Sequence, residues 1–148
     1  MKPSIAFLCT LFLFSSLQAQ KIKPSALPDV VLTKFSLIYP DASRTAWTQE
    51  TDHFQVEFKN DKKNTTAVFT SEGKLFLTRT EIRTSALPEP ALEFLRKEDN
   101  EVRIEAAFIV QDHRGVITFN ASIDDKPFVF DWTGQHMTSG AVAASIGE

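Results

Sequence analysis

The stretch "SALPDVVLTKFSLIYPDA", residues 25–42, is answered at residues 85–100 by "SALPEPALEFLRKEDN". The shared tetrapeptide Ser25–Pro28 and Ser85–Pro88 is too short to establish a repeat, but the residues beyond it keep step. Asp29 aligns with Glu89, Leu32 with Leu92, and Asp52-His53 with Asp112-His113. One inserted residue later Phe69 aligns with Phe130 and Gly73 with Gly134. Landmarks in the same order at a nearly constant offset indicate two copies of one unit. Two copies are too few for a solenoid, so they are expected to join into one body.

Each copy opens as a helix. Proline three residues after the serine suits the first helical position, where its missing N–H costs nothing, and the acid after it favours the positive helix start. Leu27, Val31, Phe35 and Ile38 then recur at helical spacing, as do Leu87, Ala91 and Leu95. The first helix is expected to stop at Tyr39-Pro40, because the residue before a proline is pushed out of the helical region.

Beyond the helices the period drops to two. Phe54, Val56 and Phe58 alternate with polar residues in "HFQVEFK", and Ile117, Phe119, Ala121 and Ile123 do so in "VITFNASID". In "EVRIEAAFIV" the pattern puts Val102, Ile104, Ala106, Phe108 and Val110 on one face. Strands apolar on one side are the habit of antiparallel sheets. Turn-forming clusters separate them: "KNDKKN", "SEG", "DHRG", "DDKP" and "WTG". The fold class is therefore α+β: two tandem units, each a helix plus about four strands, forming one antiparallel sheet with both helices on one face.

The ends set the address. In "MKPSIAFLCTLFLFSSLQAQ" a lysine precedes an apolar run from Ile5 to Phe14, then small and polar residues and a cleavage point after Ala19. That run is well short of the ~20 residues that cross a bilayer, so residues 1–19 read as a secretory signal peptide rather than a membrane anchor. Cys9 lies inside the run, without the small preceding residues a lipid-anchored cysteine needs. The mature chain, residues 20–148, holds no cysteine. Its stability must come from a core, and at this length roughly two-thirds of the unfolded surface can be buried. It divides into unit one, about 25–84, unit two, about 85–139, and a short tail, 140–148. The net charge of −3 becomes −4 without Lys2. Basic residues are scattered among acids, which argues against nucleic acid and against an anionic membrane surface.

A leucine-proline helix start, an aromatic-proline stop ("YPDA"), Trp47, the strand "FQVEF" and a phenylalanine strand turning at glycine ("AVFTSEG") together resemble the PepSY-like family of exported bacterial proteins. That family is described as similar to beta-lactamase inhibitors. The likeness covers nearly the whole mature chain, although Asn100 stands where the pattern has Pro40 and Ala107 where it has Trp47. It implies a beta-lactamase-inhibitor-like fold, a periplasmic or secreted location and a protein-binding role. It supplies no catalytic residue.

The residues themselves offer little chemistry. His53 and His113 each follow an aspartate at equivalent positions, but both fall at expected turns, where aspartate bonds local backbone N–H groups. With His136 they form no zinc-ligand spacing. Asp124-Asp125 lacks the alternating oxygens of a calcium loop and reads as a turn. No nucleophile elbow, phosphate-cradling loop or dinucleotide fingerprint is present, so no catalytic residue, metal or cofactor is expected. Asn64-Thr65-Thr66 and Asn120-Ala121-Ser122 match the glycan acceptor pattern, which carries no weight in a bacterial source.

A binding surface is better motivated. If Ser71-Glu72-Gly73 is a three-residue loop, Thr70 pairs with Lys74 and Val68 with Phe76. Phe69, Leu75 and Leu77 then face the core while Val68 and Phe76 face outward. The same loop at Trp132-Thr133-Gly134 pairs Asp131 with Gln135 and Val129 with Met137. A two-residue turn would reverse the sides. Val68, Phe76, Val129 and Met137 are thus the candidate binding residues, a shared apolar stripe on the open face of the sheet. Trp47 and Trp132 are expected in the core. The reading is an exported, non-enzymatic module for a protein or peptide partner. The rivals are a small periplasmic hydrolase or lyase using an interunit cleft, with His53 or His113 as base, and a structural envelope component.

Overall fold

The computed structural model describes residues 20–98 and 103–138. They form one eight-stranded antiparallel sheet in which sequence order is spatial order. The strands are β1 (Gln20–Ile22), β2 (Ser43–Glu50), β3 (His53–Asn60), β4 (Lys63–Thr70), β5 (Leu75–Ile82), β6 (Ala106–Asp112), β7 (Ile117–Ile123) and β8 (Lys126–Asp131). Helix α1 (Asp29–Ile38) precedes β2, and α2 (Glu89–Glu98) precedes β6. Residues 1–19, expected to be a signal peptide, Asn100, Val102 and residues 140–148 lie outside the described residues.

Each helix is entered through one tight turn, Pro24–Ala26 or Thr84–Ala86. Pro28 caps α1 from just outside it, with φ −59 and ψ 135, rather than occupying the first helical position. Its carbonyl accepts the N–H groups of Val31 and Leu32, and the Pro88 carbonyl accepts those of Ala91 and Leu92. Asp29 and Glu89 fall in the first helical turns, beside the positive end of the backbone dipoles. Tyr39 ends α1 with its N–H on the Phe35 carbonyl, 2.8 Å away, immediately before Pro40.

Leu27, Val31 and Phe35 are buried, with Trp47, Phe54, Val56, Phe58, Ala67 and Phe69 beneath them. Ile38, expected to extend that helix face, is 43% exposed. Tyr39 takes its place, its ring 4.7 Å from that of Phe58. The second core joins Leu87, Ala91 and Leu95 to Ala107, Ala121, Ile123 and Phe130. Alanine at 107, where the first core has Trp47, removes an aromatic ring from β6. Phe94 of α2 brings one instead, 5.7 Å from Phe130 and 6.1 Å from Phe128.

Cross-strand register places both helices on one face. Buried Thr65 of β4 pairs with Thr80, Thr80 with Ile109, and Ile109 with Phe119, which packs on the second core. Directly paired residues share a face, so the two cores lie on the same side of one sheet.

Two expectations are corrected. Four strands follow α1, but α2 is followed by three, the expected fourth appearing among the described residues as a single bridge between Phe130 and His136. The phase of "EVRIEAAFIV" also changes along its length. Ile104 packs on the second core, yet Ala107 is buried while Phe108 and Val110 face the opposite side with Ala106. The Glu105 N–H bonds to the Ser122 carbonyl at 2.9 Å although Ala106 is the register partner of Ser122. Two residues opposite one reverse the alternation there.

Candidate functional site

The face without helices is built from the polar parity of each strand. One row across it runs Thr48, Gln55, Val68, Leu77, Asp112. The next runs Ala46, Glu57, Thr66, Arg79, Val110, Thr118, Asp131. A third joins Glu81, Phe108, Asn120 and Val129, and the Met137 N–H reaches the Val129 carbonyl at 2.8 Å.

The hairpin loops form as expected. Gly73 and Gly134 have φ of 77 and 89, and the N–H groups of Thr70 and Asp131 bond the carbonyls of Lys74 and Gln135 at 2.9 Å. Past the second loop Val129 and Met137 are joined as expected. Past the first they are not: Phe69 pairs with Leu75 but Val68 pairs with Leu77, leaving Phe76 as the extra residue of a bulge. The bulge puts Leu77 beside Val68 on the open face instead of in the core. Phe76 turns to two histidine rings, those of His53 and His113, each 5.4 Å away.

The four candidate residues therefore form no patch by themselves. Val68 on β4 and Val129 on β8 are four strand spacings apart, about 19 Å. Leu77, Val110 and Phe108, all half-buried, continue from Val68 as a diagonal apolar line over β4 to β6, and Asn120 of β7 separates Phe108 from Val129. Sequence reasoning missed Val110 and Phe108 because both parities of "AAFIV" are apolar, and Leu77 because the bulge at Phe76 leaves no mark in the sequence. It also missed Arg79, whose guanidinium carbon lies 3.6 Å above the centre of the Phe108 ring.

Trp47 is buried at 4% exposure, but Trp132 is 72% exposed and not in the core. It sits in the loop after β8, where strand parity no longer applies. Asp124 and Asp125, with φ of 47 and 60, make the two-residue turn between β7 and β8.

The two Asp-His pairs behave differently. Asp112 does serve its turn, accepting the N–H groups of Arg114 and Val116 at 2.9 Å and the Arg114 guanidinium at 2.8 and 2.9 Å. Partial burial pushes its pKa up, but these hydrogen bonds outweigh that and hold it below the ordinary carboxylate value. Asp52 instead meets the His53 ring, Oδ1 to Nδ1 at 3.0 Å, on the surface. His136 is on the helix side, stacked on Phe94 at 4.3 Å. Among the described residues no group of histidine, cysteine and carboxylate side chains is placed to hold a metal ion. None of the described helices is long and apolar enough to cross a membrane.

No protein-family model matches the sequence, and no curated protein matches it. Solved structures do. A proposed periplasmic protein from Bacteroides eggerthii DSM 20697 is 17% identical, with a TM-score of 0.69 over 76% of this chain and 86% of that one. A DUF2874 family protein from Bacteroides uniformis ATCC 8492 is 15% identical, with a TM-score of 0.68 over 75% and 86%. A BLIP-like protein from Bacteroides fragilis NCTC 9343 is 16% identical, with a TM-score of 0.63 over 76% and 84%. At these identities the likeness establishes the fold, which is the beta-lactamase-inhibitor-like sheet that the sequence resemblance implies.

Proposed function

We propose that this chain is an exported, non-enzymatic, PepSY-like module that binds a protein or peptide partner on the open face of its sheet. Cleavage after Ala19 releases residues 20–148, in which a duplicated unit, about 25–84 and 85–139, supplies the two helices that cover one face and leave the other free. The observation that carries the reading is the diagonal line of Val68, Leu77, Val110 and Phe108, with Val129 and Met137 beyond Asn120, on the face that neither described helix covers. Apolar side chains grouped on an exposed surface mark interaction sites. Phe76 and Arg79 flank the line, and stacked arginine and aromatic residues are the types enriched at binding hot spots. The likeness to a proposed periplasmic protein and to a BLIP-like protein supports export and protein binding. Inhibition of a beta-lactamase is no part of the proposal.

A photoactivatable amino acid at position 108, compared with one at Leu37 on the outer surface of α1, tests it in the producing cell. Crosslinks to a small, saturable set of proteins are expected from position 108 alone. Replacing Phe76, Phe108 and Met137 with aspartate should abolish them without altering the circular dichroism spectrum. Unchanged capture by that folded variant would reject the open face as the site.

A further inference from the structure

The open face carries a second feature beside its apolar line. A depression of about 240 Å³ between β2 and β6 is lined by Arg44, Lys59 and Arg79, with Phe108 at one side. Glu57 is the one acid among its lining residues, so three cations face one carboxylate. None of the three cations is ion-paired with a carboxylate among the described residues. Glu81, next but one to Arg79 on β5, is a second carboxylate at the edge, held by the lining Asn64 amide at 2.6 Å, which leaves the three cations in excess.

Two devices aim these cations. Arg79 is laid on the Phe108 ring, a cation–π contact that holds the guanidinium over the sheet. Arg44 sits in the β2 bulge, where the register shifts between Ser43 and Ala46, with φ of 56. A non-glycine residue takes that left-handed conformation at a cost, and bulges commonly re-aim a side chain. The result is a cluster of unpaired donors joined to the apolar line: Arg79 pairs with Val110 and stands two residues from Leu77. Alternate residues of a strand are about 7 Å apart on one face, the same spacing as alternate side chains of an extended peptide.

Resting on the open-face reading, we infer that the partner is an extended acidic segment of a polypeptide. One of its carboxylates seats against Arg79, with Arg44 and Lys59 adding positive charge across the depression, and an aliphatic or aromatic side chain two residues away packs on Leu77 and Val110. Charge complementarity selects the carboxylate, since a planar guanidinium accepts it in two parallel hydrogen bonds. The adjoining apolar line selects a peptide over a small anion, which would use the cations alone.

The test titrates the purified full chain into fluorescein-labelled peptides of alternating leucine and serine carrying one central glutamate, glutamine or lysine, read by fluorescence anisotropy. The glutamate peptide is expected to bind about tenfold or more tighter than the glutamine one, with the preference weakening as salt is added. Arg79→Gln with Arg44→Gln should erase the preference, Arg79→Lys should keep part of it, and Arg79→Glu with Arg44→Glu should turn it toward lysine. Circular dichroism confirms that each variant is folded. Equal binding of the glutamate and glutamine peptides, lost on Phe108→Asp, would overturn the acidic assignment and leave the open face standing. Absence of binding, or binding indifferent to Phe76→Asp and Phe108→Asp, would sink both. Free glutamate competing as well as the unlabelled peptide would assign the cavity to a small anion and overturn the inference.

Discussion

The ring of Phe76 stacks on the imidazole of His113, centroids 5.4 Å apart and planes 17° from parallel. The His113 N–H also bonds the Phe76 carbonyl at 2.8 Å, and His53 meets the same phenyl ring at 57°. One bulged residue thus gathers two histidines that are sixty positions apart in the chain. Phe76→Leu should shift the ring proton resonances of His53 and His113 by removing the phenyl ring current, and leave those of His136 in place on Phe94. The lost aromatic contacts should cost about 0.5–1.5 kcal/mol. Unmoved His53 and His113 signals would contradict the stack.

The two tryptophans should separate cleanly. Trp47 packs edge-on against Phe35 at 5.2 Å within the first core, and truncation to alanine should cost about 3–5 kcal/mol. Trp132, in the loop after β8, should change stability by no more than about 0.5 kcal/mol when replaced. Iodide quenching checks the same point spectroscopically: fluorescence should stay quenchable in Trp47→Phe and become largely protected in Trp132→Phe.

Glycine is required twice over at position 134. Its φ of 89 disfavours any side chain, and a Cβ there would stand 2.8 Å from the Pro88 Cβ and 3.1 Å from the Ala91 nitrogen, at the start of α2. Gly115, with φ of 81, has open space around it. Gly115→Ala should therefore cost only the left-handed backbone strain, about 1–2 kcal/mol. Gly134→Ala should cost clearly more, because the hairpin and the helix entry must move apart. Equal losses in denaturant melts would show that the packing of the turn under α2 contributes nothing.

Asp131 sets the pH dependence of the last hairpin. Its carboxylate accepts the Thr133 hydroxyl at 2.6 Å and the N–H groups of Thr133 and Gln135 at 2.8 and 3.0 Å, which hold its pKa below the ordinary 3.8. A carboxyl more acidic in the folded than the unfolded chain stabilises above the unfolded pKa and loses that contribution as pH falls through the lowered folded one. Asp131→Ala should cost about 1 kcal/mol at neutral pH, at the modest end because the group is exposed. The difference from the parent chain should shrink as the pH drops below 3.8. A constant difference through that range would exclude the charged form as the stabilising one.

The helix starts, the stop at Tyr39-Pro40 and most of the core were legible in the sequence. So were the loops at Gly73 and Gly134, because turn chemistry and the change of period from 3.6 to 2 are local properties. Ile38, the last residue of α1, was misplaced because Tyr39 rather than Ile38 packs on the core there, and Trp132 because the alternation was run one step past β8. Phe108 and Val110 were assigned to the face of Ile104 because the irregular step at Glu105 leaves no mark in the side-chain pattern.

Alternation tells which side a residue takes relative to its neighbours in the same strand, and that much the amino-acid order determined. It carries no information about bulges, and a single extra residue at Phe76 moved Leu77 from the core to the open face. Nor does it say what lies across the hydrogen bonds. The tertiary register alone decided that Val68 and Val129 stand four strands apart, about 19 Å across the sheet, and two rows out of line. It also decided that Leu77, Val110 and Phe108 lie between them, and that Arg44, Lys59 and Arg79, from three different strands, line one depression. Contacts between strands are set by pairing and twist of the whole sheet, which no single segment encodes.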